Sequence, residues 1–495
     1  MGPRVPLALA LVCVAGAGLR FATLDGQSLW FDEAVTASLL QMDFGAMLDA
    51  IGDSESTPPL YYVLAWLWTK LAGTGEVGLR SLSALLGTAT IPVVWALARR
   101  LGGGRAALVA GALIAANPLL VWFSQEARAY ALLALLCTLS ALLWLRALEA
   151  PRGGRLLAWS AVAALALATH YFAVFLVAPQ ALWLVRHVPG WQARAGALAL
   201  PVLTGAALLP LALEQRSNEG AAFIGQSPMY VRLAQVPKQF LVGYDAPLEG
   251  LLAAAAALAM LAAIAGLVIL LSGLGSDATA AARTQTARLT ALATVAFLLP
   301  LGAATLGEDH FIARNILAAL ALVTVLGGVG FASAWSLAPR LARAAVTAAC
   351  AFGLVAVVGV ASEPTMQRDN WRGAVRALGP IDDVRVVSAP NGALVPLRYY
   401  LPHVHPTDQP QVRTAEIDYL ALAPRVSGRA DGRSKPPRPR TPPRPTPRFK
   451  LADRTFAETF TVLRLQAPGQ ETVPAANVAR DLRGGTAQVL VVTGP

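Results

Sequence analysis

Long apolar stretches are the feature that most restricts what this chain can fold into. Runs of about 17–25 apolar residues, the length that crosses a bilayer as a helix, recur over most of the sequence and are separated by short arginine-bearing loops. Of the 495 residues, 56% are hydrophobic and 14% are charged, whereas soluble domains have about 45–50% and about 25%. The mean hydropathy is +0.54. The sequence therefore predicts an α-helical polytopic membrane protein.

We expect about eleven transmembrane helices. They lie near residues 4–23, 79–98, 106–122, 127–146, 156–170, 171–186, 195–213, 249–271, 288–306, 311–333 and 343–361. The fifth and sixth runs are short, so a tight hairpin is an alternative there. The first run would also suit a signal peptide, but the later spans and the acidic loop after it favour a retained helix.

Charge is sorted between alternate loops. Arginines occupy every second loop, at Arg99, Arg100, Arg105, Arg146, Arg152, Arg155, Arg186, Arg194, Arg283, Arg288, Arg340 and Arg343. The positive-inside rule then predicts a cytoplasmic N-terminus, and the odd span count places the tail outside. Because the net charge of +11 divides between these loops and one tail segment, it does not indicate a nucleic-acid partner.

Two domains are predicted. Residues 1–363 form the transmembrane domain, whose first outer loop, 25–78, holds interfacial helices rich in Tyr and Trp. Residues 364–495 form a small extracytoplasmic α/β domain, with a helix near Trp371–Leu378 and strands near residues 384–387 and 488–492. A Pro/Arg-rich insert at 427–450 cannot bury a core, which predicts disorder.

The first polar cluster follows the first span. Asp32 and Glu33 are adjacent carboxylates beside Trp30 and Phe31 at the membrane surface. Such a pair suits a general base or the ligands of a divalent cation. The alternative is an exposed helix N-terminus, where acids favour the helix dipole.

The second cluster opens the fourth span. Gln125, Glu126, Arg128 and Tyr130 begin an otherwise apolar helix on the outer side. Polar groups in that position are costly without partners, which favours a role facing a cavity. A simple pair between Glu126 and Arg128 is the alternative.

Two further clusters lie on the same predicted side. His170 and Tyr171 form the turn between the fifth and sixth spans, where a satisfied interfacial histidine is the alternative. His310 and Arg314 enter the tenth span, and Arg314 lies against the positive-inside trend, so it should face an anion such as a carboxylate or phosphate. Phosphate-binding loops of nucleotide enzymes and an HExxH zinc motif are missing from the sequence. A lipid phosphate is therefore the natural anion.

These motifs, in this order, resemble the GT-C superfamily of glycosyltransferases, which use polyprenyl-phosphate sugars. Within that superfamily they are similar to the motifs of the protein O-mannosyltransferases and of the lipid A aminoarabinose transferase, a glycosyltransferase family 39-like pattern. The resemblance covers roughly residues 1–335, and its marks are Asp32-Glu33, Thr57-Pro58-Pro59-Leu60-Tyr61-Tyr62, Arg80-Ser81-Leu82-Ser83-Ala84-Leu85, Arg99-Arg100-Leu101-Gly102-Gly103, Ser124-Gln125-Glu126-Ala127-Arg128-Ala129-Tyr130 and Arg314. The chain departs from the pattern at Glu55-Ser56-Thr57, where relatives carry His or a Glu-Lys pair.

The resemblance implies roles for these positions. Asp32 matches the catalytic carboxylate, with Glu33 beside it, and Glu126 matches a second acid of the site. Arg314 and Arg128 match arginines that hold the donor's lipid phosphate. The residues that would line the substrate site are Tyr61, Tyr62, Gln125, Tyr130, His170, Tyr171 and His310.

The implied function is transfer of a hexose or pentose, mannosyltransferase-like, from a polyprenyl-phosphate donor to a lipid, glycan or protein acceptor. It implies inversion with Asp32 as base, in the inner membrane of a bacterial cell, with the site and C-terminus extracytoplasmic. A divalent cation at Asp32 and Glu33 is compatible with this chemistry but not demanded by it. The alternatives are a surface-polysaccharide polymerase or ligase and a transporter of a lipid-linked glycan, although transporters usually place ionisable groups near the bilayer midplane.

Overall fold

The computed structural model describes residues 4–216, 224–273, 278–381, 383–423 and 435–494. Its helices are α1 Arg4–Phe21, α2 Phe31–Leu40, α3 Phe44–Ser54, α4 Leu60–Ala72, α5 Glu76–Ala116, α6 Pro118–Ser124, α7 Tyr130–Glu149, α8 Gly153–Thr169, α9 Val174–His187, α10 Trp191–Arg216, α11 Met229–Val242, α12 Glu249–Ser272, α13 Ala280–Thr305, α14 Leu317–Leu337, α15 Pro339–Ser362, α16 Trp371–Leu378, α17 Leu394–Tyr400 and α18 Ala475–Val478. The mainly helical fold predicted from the apolar periodicity is confirmed.

Each predicted span coincides with a helix, but the count differs. Within the described residues, seven helices are long and apolar enough to cross a membrane, namely α5, α7, α10, α12, α13, α14 and α15. The predicted eleven is larger for two reasons. The spans predicted at 79–98 and 106–122 both fall on α5, the second continuing into α6. Three others correspond to α1, α8 and α9, of 18, 17 and 14 residues. The protein is a multi-pass membrane protein.

A glycine pair divides α5 into two helical pieces. Gly102 (φ −135°, ψ 15°) and Gly103 (φ 74°, ψ −164°) leave the helical region in its middle. Positive φ of this kind is strained for residues with a Cβ, so glycine fits the break. Just before it, the Arg100 side chain donates to Gln285 Oε1 at 2.8 Å and pairs with Glu149, which ties α5 to α13 and α7.

Helix α14 lies at the centre of the helical unit. Its most apolar window is 78% buried, compared with 11% for α10 and for α15, whose leucine and valine side chains face outward. The crossing of α12 and α14 is close because small residues meet there: a Cβ on Gly266 would lie 2.0 Å from the Gly330 carbonyl oxygen. Small residues permit such close helix contacts in membranes, where packing drives association.

The C-terminal part contains the predicted sheet. Its strands are β1 Arg385–Ala389, β2 Val404–Pro406, β3 Gln411–Leu422, β4 Lys450–Phe456, β5 Phe460–Pro474 and β6 Gln488–Val492. Their order is β2-β6-β1-β3-β5-β4, with β1 and β3 parallel and the other pairs antiparallel. The predicted helix at Trp371–Leu378 and the predicted strands near residues 384–387 and 488–492 are confirmed as α16, β1 and β6.

A buried ion cluster joins the middle strands of this sheet. Asp418 on β3 is fully buried and lies 3.3 Å from Arg385 of β1 and 3.2 Å from Arg464 of β5. Burial raises the pKa of Asp418 to about 6, although the two guanidinium groups oppose this shift. The cluster therefore links three adjacent strands through one carboxylate.

The Pro/Arg-rich insert is partly described. Residues 427–434 lie outside the described residues, whereas 435–449 run along the sheet without regular structure. Phe449 is 1% exposed in a core cluster, and Pro437 and Pro445 accept hydrogen bonds from Thr461 and Asn477. Residues 435–449 therefore have packing partners in the C-terminal unit, since proline-rich chain can pack when a neighbouring aromatic is buried.

The chain divides into two compact units that differ from the predicted domains. The membrane unit comprises residues 1–24 and 43–359, and the C-terminal unit comprises residues 25–42 and 360–495. The segment with Asp32, predicted as part of the first outer loop, has its contacts concentrated with the C-terminal residues.

The close crossing of α12 and α14 generates a stability prediction. A Cβ on Gly330 would lie 2.0 Å from the Ala263 carbonyl oxygen, whereas a Cβ on Gly327 of the same helix meets no atom within 4 Å. We expect Gly330→Ala to destabilise the protein by about 1–3 kcal/mol through overpacking. Gly327→Ala should be neutral or stabilising by up to about 1 kcal/mol, since alanine favours the helix.

Thermal unfolding of the purified protein in detergent measures both effects. Gly327→Ala is the matched control, because it adds the same methyl group to the same helix. A wild-type midpoint for Gly330→Ala would contradict the packing described here.

Candidate active site

The second predicted cluster lies in the connection between α6 and α7. Glu126 is 1% exposed there. The Gln125 side chain donates to the Leu19 carbonyl at 3.1 Å and to Thr23 Oγ1 at 2.9 Å. The connection is therefore fastened to the end of α1, and polar atoms that would be costly in an apolar surrounding find partners.

An arginine that the sequence analysis did not single out completes this attachment. Arg20 is 1% exposed, and its guanidinium donates to the carbonyls of Ile114 and Ala115 at 3.1 and 3.0 Å and to Ser124 Oγ at 3.2 Å. Arg20 could have been identified from the sequence because it lies in an apolar stretch. Ionisable groups inside membrane spans are rare and usually paired.

Arg128 forms a buried ion pair with Glu55. Its Nη1 lies 2.5 Å from Glu55 Oε1, and the two side chains are 8% and 3% exposed. Glu55 lies where the sequence departs from the motif pattern that it otherwise resembles, and its pairing with Arg128 was not predicted. A phosphate would have to compete with Glu55 for the charge of Arg128.

The two predicted tyrosines of α4 are fully buried. Tyr61 and Tyr62 are 0% exposed, and their hydroxyls lie 3.0 Å from Ser83 Oγ and Thr57 Oγ1 respectively. The Arg128 guanidinium also lies 6.0 Å from the Tyr62 ring. Tyr62 therefore lies beside the Glu55–Arg128 pair, and neither tyrosine has surface exposed to a substrate.

Aromatic contacts bring the second, third and fourth clusters together. The ring of His170 lies 5.9 Å from Tyr130 and 5.2 Å from Phe172, and the Phe172 ring lies 5.3 Å from His310. The convergence predicted from the charge pattern is thus found for these three clusters within the membrane unit.

His170 is a neutral residue of this group. It lies in the connection between α8 and α9, where burial, and then the charges of Arg128 and Arg314, lower its pKa to about 3. Its Nδ1 accepts the Phe172 N–H at 3.3 Å, which places the ring proton on Nε2. Arg314 is half-buried and close enough to act on this ring.

The remaining polar residues of the clusters have structural partners. Arg232, buried on α11, donates to both oxygens of Asp309 at 2.6 and 2.5 Å and lowers the pKa of that carboxyl. Tyr171 donates to Gln215 Oε1 at 2.8 Å, and Gln215 donates to the Ile51 carbonyl at 3.1 Å. Arg232 and Gln215 were not identified from the sequence, because their partners lie far away along the chain.

The first cluster belongs to the C-terminal unit. Asp32 is half-buried in the first turn of α2, and its carbonyl accepts the Thr36 hydroxyl at 3.1 Å. Glu33 is fully buried, with Oε2 3.8 Å from Nε of Arg368. Across the described ranges, no group of three or more His, Cys, Asp or Glu side chains is arranged to hold a metal ion.

Comparison with known proteins identifies the fold. Residues 56–213 match the family model of dolichyl-phosphate-mannose-protein mannosyltransferases. ArnT from Cupriavidus metallidurans bound to undecaprenyl phosphate superposes with a TM-score of 0.50 at 16% identity, over 80% of this chain and 84% of ArnT. The apo form of the same ArnT gives 0.50 at 15% identity, with the same coverage. No curated protein matches the chain by sequence.

The chain therefore has the same fold as ArnT over most of its length, and the resemblance to GT-C glycosyltransferases expected from its motifs is confirmed. The oligosaccharyltransferase of Archaeoglobus fulgidus in complex with Zn and sulfate gives a lower TM-score of 0.45, at 13% identity over 75% of this chain and 55% of that one.

The buried Glu55–Arg128 pair generates a second prediction. Glu55→Leu should destabilise the protein by about 3–5 kcal/mol, because Arg128 is left buried without its counter-charge. The double variant Glu55→Leu/Arg128→Met should recover most of this loss, since a packed apolar pair replaces the ions. Thermal unfolding in detergent measures both.

The control is the pair of Arg216 and Glu308, whose side chains are 68% and 50% exposed. Glu308→Ala should change stability by less than about 1 kcal/mol, as surface pairs do. A Glu55→Leu variant as stable as the wild type would show that Arg128 does not depend on Glu55.

Proposed function

We propose that this protein transfers a sugar from a polyprenyl-phosphate donor to an acceptor at the outer face of a bacterial inner membrane. The observation that carries the proposal is the GT-C fold, shared over most of the chain with an ArnT that binds undecaprenyl phosphate. The match to the mannosyltransferase family model over residues 56–213 supports the same reaction class. The sugar is a hexose or pentose, and the acceptor is a lipid, glycan or protein.

In this proposal, the donor phosphate binds in the membrane unit beside Arg314 and Arg128. Arg314 and Arg128 both act on the ring of His170, which stays neutral. Positive charge therefore remains beside a histidine whose Nε2–H can donate. Arg314 is the principal phosphate ligand, because Arg128 is already paired with Glu55 at 2.5 Å.

Asp32 is the catalytic base of the proposed reaction. Its carboxylate takes the proton from the acceptor hydroxyl or amine as that atom attacks the anomeric carbon. The bond between this carbon and the phosphate oxygen breaks, and polyprenyl phosphate leaves with the electron pair. A single displacement inverts the anomeric configuration, and Arg314 stabilises the charge that develops on the leaving group.

Substitution of the proposed base gives a third prediction. Asp32→Asn should lower turnover by about 10²–10⁴-fold, the contribution of general base catalysis, while the protein remains folded. The assay incubates purified protein with radiolabelled polyprenyl-phosphate sugars and membrane acceptors and identifies the labelled product. Asp49→Asn, an exposed carboxylate of α3, is the control and should retain wild-type turnover. Near-wild-type turnover of Asp32→Asn would refute the assignment.

Substitution of the proposed phosphate ligand gives a fourth prediction. Arg314→Ala should raise the KM for the donor by about 10–100-fold, since a charge-assisted hydrogen bond contributes about 1.5–3 kcal/mol. Arg216→Ala removes an arginine that is 68% exposed and should leave the donor dependence unchanged. An unchanged donor KM for Arg314→Ala would exclude this role.

A further inference from the structure

The segment that carries Asp32 is held by the C-terminal residues through several polar contacts. Ser28 Oγ donates to the Asp369 carbonyl at 2.5 Å and accepts the Trp371 N–H at 3.0 Å. The Leu29 N–H donates to the Tyr400 hydroxyl at 2.8 Å. The backbone just before α2 is thus fixed from the start of α16 and from the end of α17.

Arg368 holds the helix itself. Its Nε lies 3.8 Å from Glu33 Oε2, and the side chains are 2% and 0% exposed. Its Nη1 and its backbone N–H both point to Gln27 Oε1, at 3.3 and 3.0 Å. One arginine therefore connects the first turn of α2 with the chain that enters it.

The geometry of a helix makes this contact relevant to Asp32. Successive residues of an α-helix point about 100° apart, because there are 3.6 residues per turn. Glu33 follows Asp32 directly, so holding Glu33 fixes the rotation of the helix and with it the direction of the Asp32 Cα–Cβ bond. Buried ion pairs contribute little net stability compared with apolar residues, but they can select one arrangement over others.

We propose that Arg368 is a positioning residue for Asp32, and that the C-terminal unit thereby orients the catalytic base. This inference rests on the proposed function of Asp32. Arg368 does not touch the reacting atoms; it acts through Glu33 and Gln27. A displacement of about 1 Å in a catalytic group can lower turnover by about 10²-fold, so loss of Arg368 should affect the chemical step.

The first test separates turnover from donor binding. Arg368→Gln should lower kcat by about 10–100-fold with a donor KM close to that of the wild type, because the donor phosphate is bound elsewhere. Arg368→Lys keeps the charge facing Glu33 and should recover most of the kcat. The matched control is Arg376→Gln, an exposed arginine of α16, which should behave as the wild type.

The second test does not depend on activity. Amide hydrogen exchange of full-length protein in detergent should be faster across α2 in Arg368→Gln than in the wild type, and unchanged across α4. If Arg368→Gln does not fold, Ser28→Ala takes its place as a smaller change in the same attachment. It should lower kcat and speed amide exchange across α2, each by less than the values expected for Arg368→Gln. Unchanged exchange in α2 together with unchanged kcat, in whichever of the two variants folds, would overturn the inference.

The two proposals fail in different ways. A wild-type protein that transfers no sugar from any polyprenyl-phosphate donor would overturn the proposed function, while the exchange of α2 would still report whether Arg368 holds it. An active wild type with an Arg368→Gln variant of normal kcat would overturn only the positioning role.

Discussion

The candidate site of the membrane unit depends on the hydrogen bonds that the Arg20 guanidinium donates. Carbonyls in the last turn of a helix lack partners within the helix, and Arg20 donates to two of them at the end of α5. In return, Gln125 donates to the carbonyls of Leu19 and Arg20 at the end of α1. The carbonyls at the end of α5 therefore have Arg20 as donor, and those at the end of α1 have Gln125 as donor. The short connection with Glu126 and Arg128 is fixed as a result.

Much of the fold could be predicted because lipid imposes strict requirements. A backbone in hydrocarbon must satisfy its own hydrogen bonds, so apolar runs such as the one in α14 had to be helices. The β-branched runs of β1 and β6 predicted strands for the same local reason. The contacts of the site were harder to predict from the sequence. Arg128 and Glu55 are 73 residues apart along the chain, and Arg368 and Gln27 are 341 residues apart. No local pattern encodes such pairs, which is why the contacts of the segment with Asp32 could not be predicted from the sequence.

The structure also changes the meaning of the individual charges. The sequence singled out Asp32 and Glu33 as adjacent carboxylates of one cluster, and Arg314 and Arg128 as arginines that would hold a phosphate. Burial separates both pairs, because Glu33 and Arg128 are enclosed with ionic partners while Asp32 and Arg314 are half-buried. A charge that is fully enclosed with its counter-ion serves architecture best. Chemistry on an external substrate is better assigned to the accessible member of each pair.

The placement of residues 25–42 with the tail has a consequence for biosynthesis. Gln27 leaves the ribosome 341 residues before Arg368, an interval of roughly 20–70 s at about 5–20 residues per second. During that time Arg368 is not yet available to Glu33, and α2 lacks the contacts that the C-terminal residues make with it. A chain that terminates early would insert its helices without ever seating Asp32. The contacts that hold the Asp32 segment can therefore form only after the C-terminal residues have been synthesised.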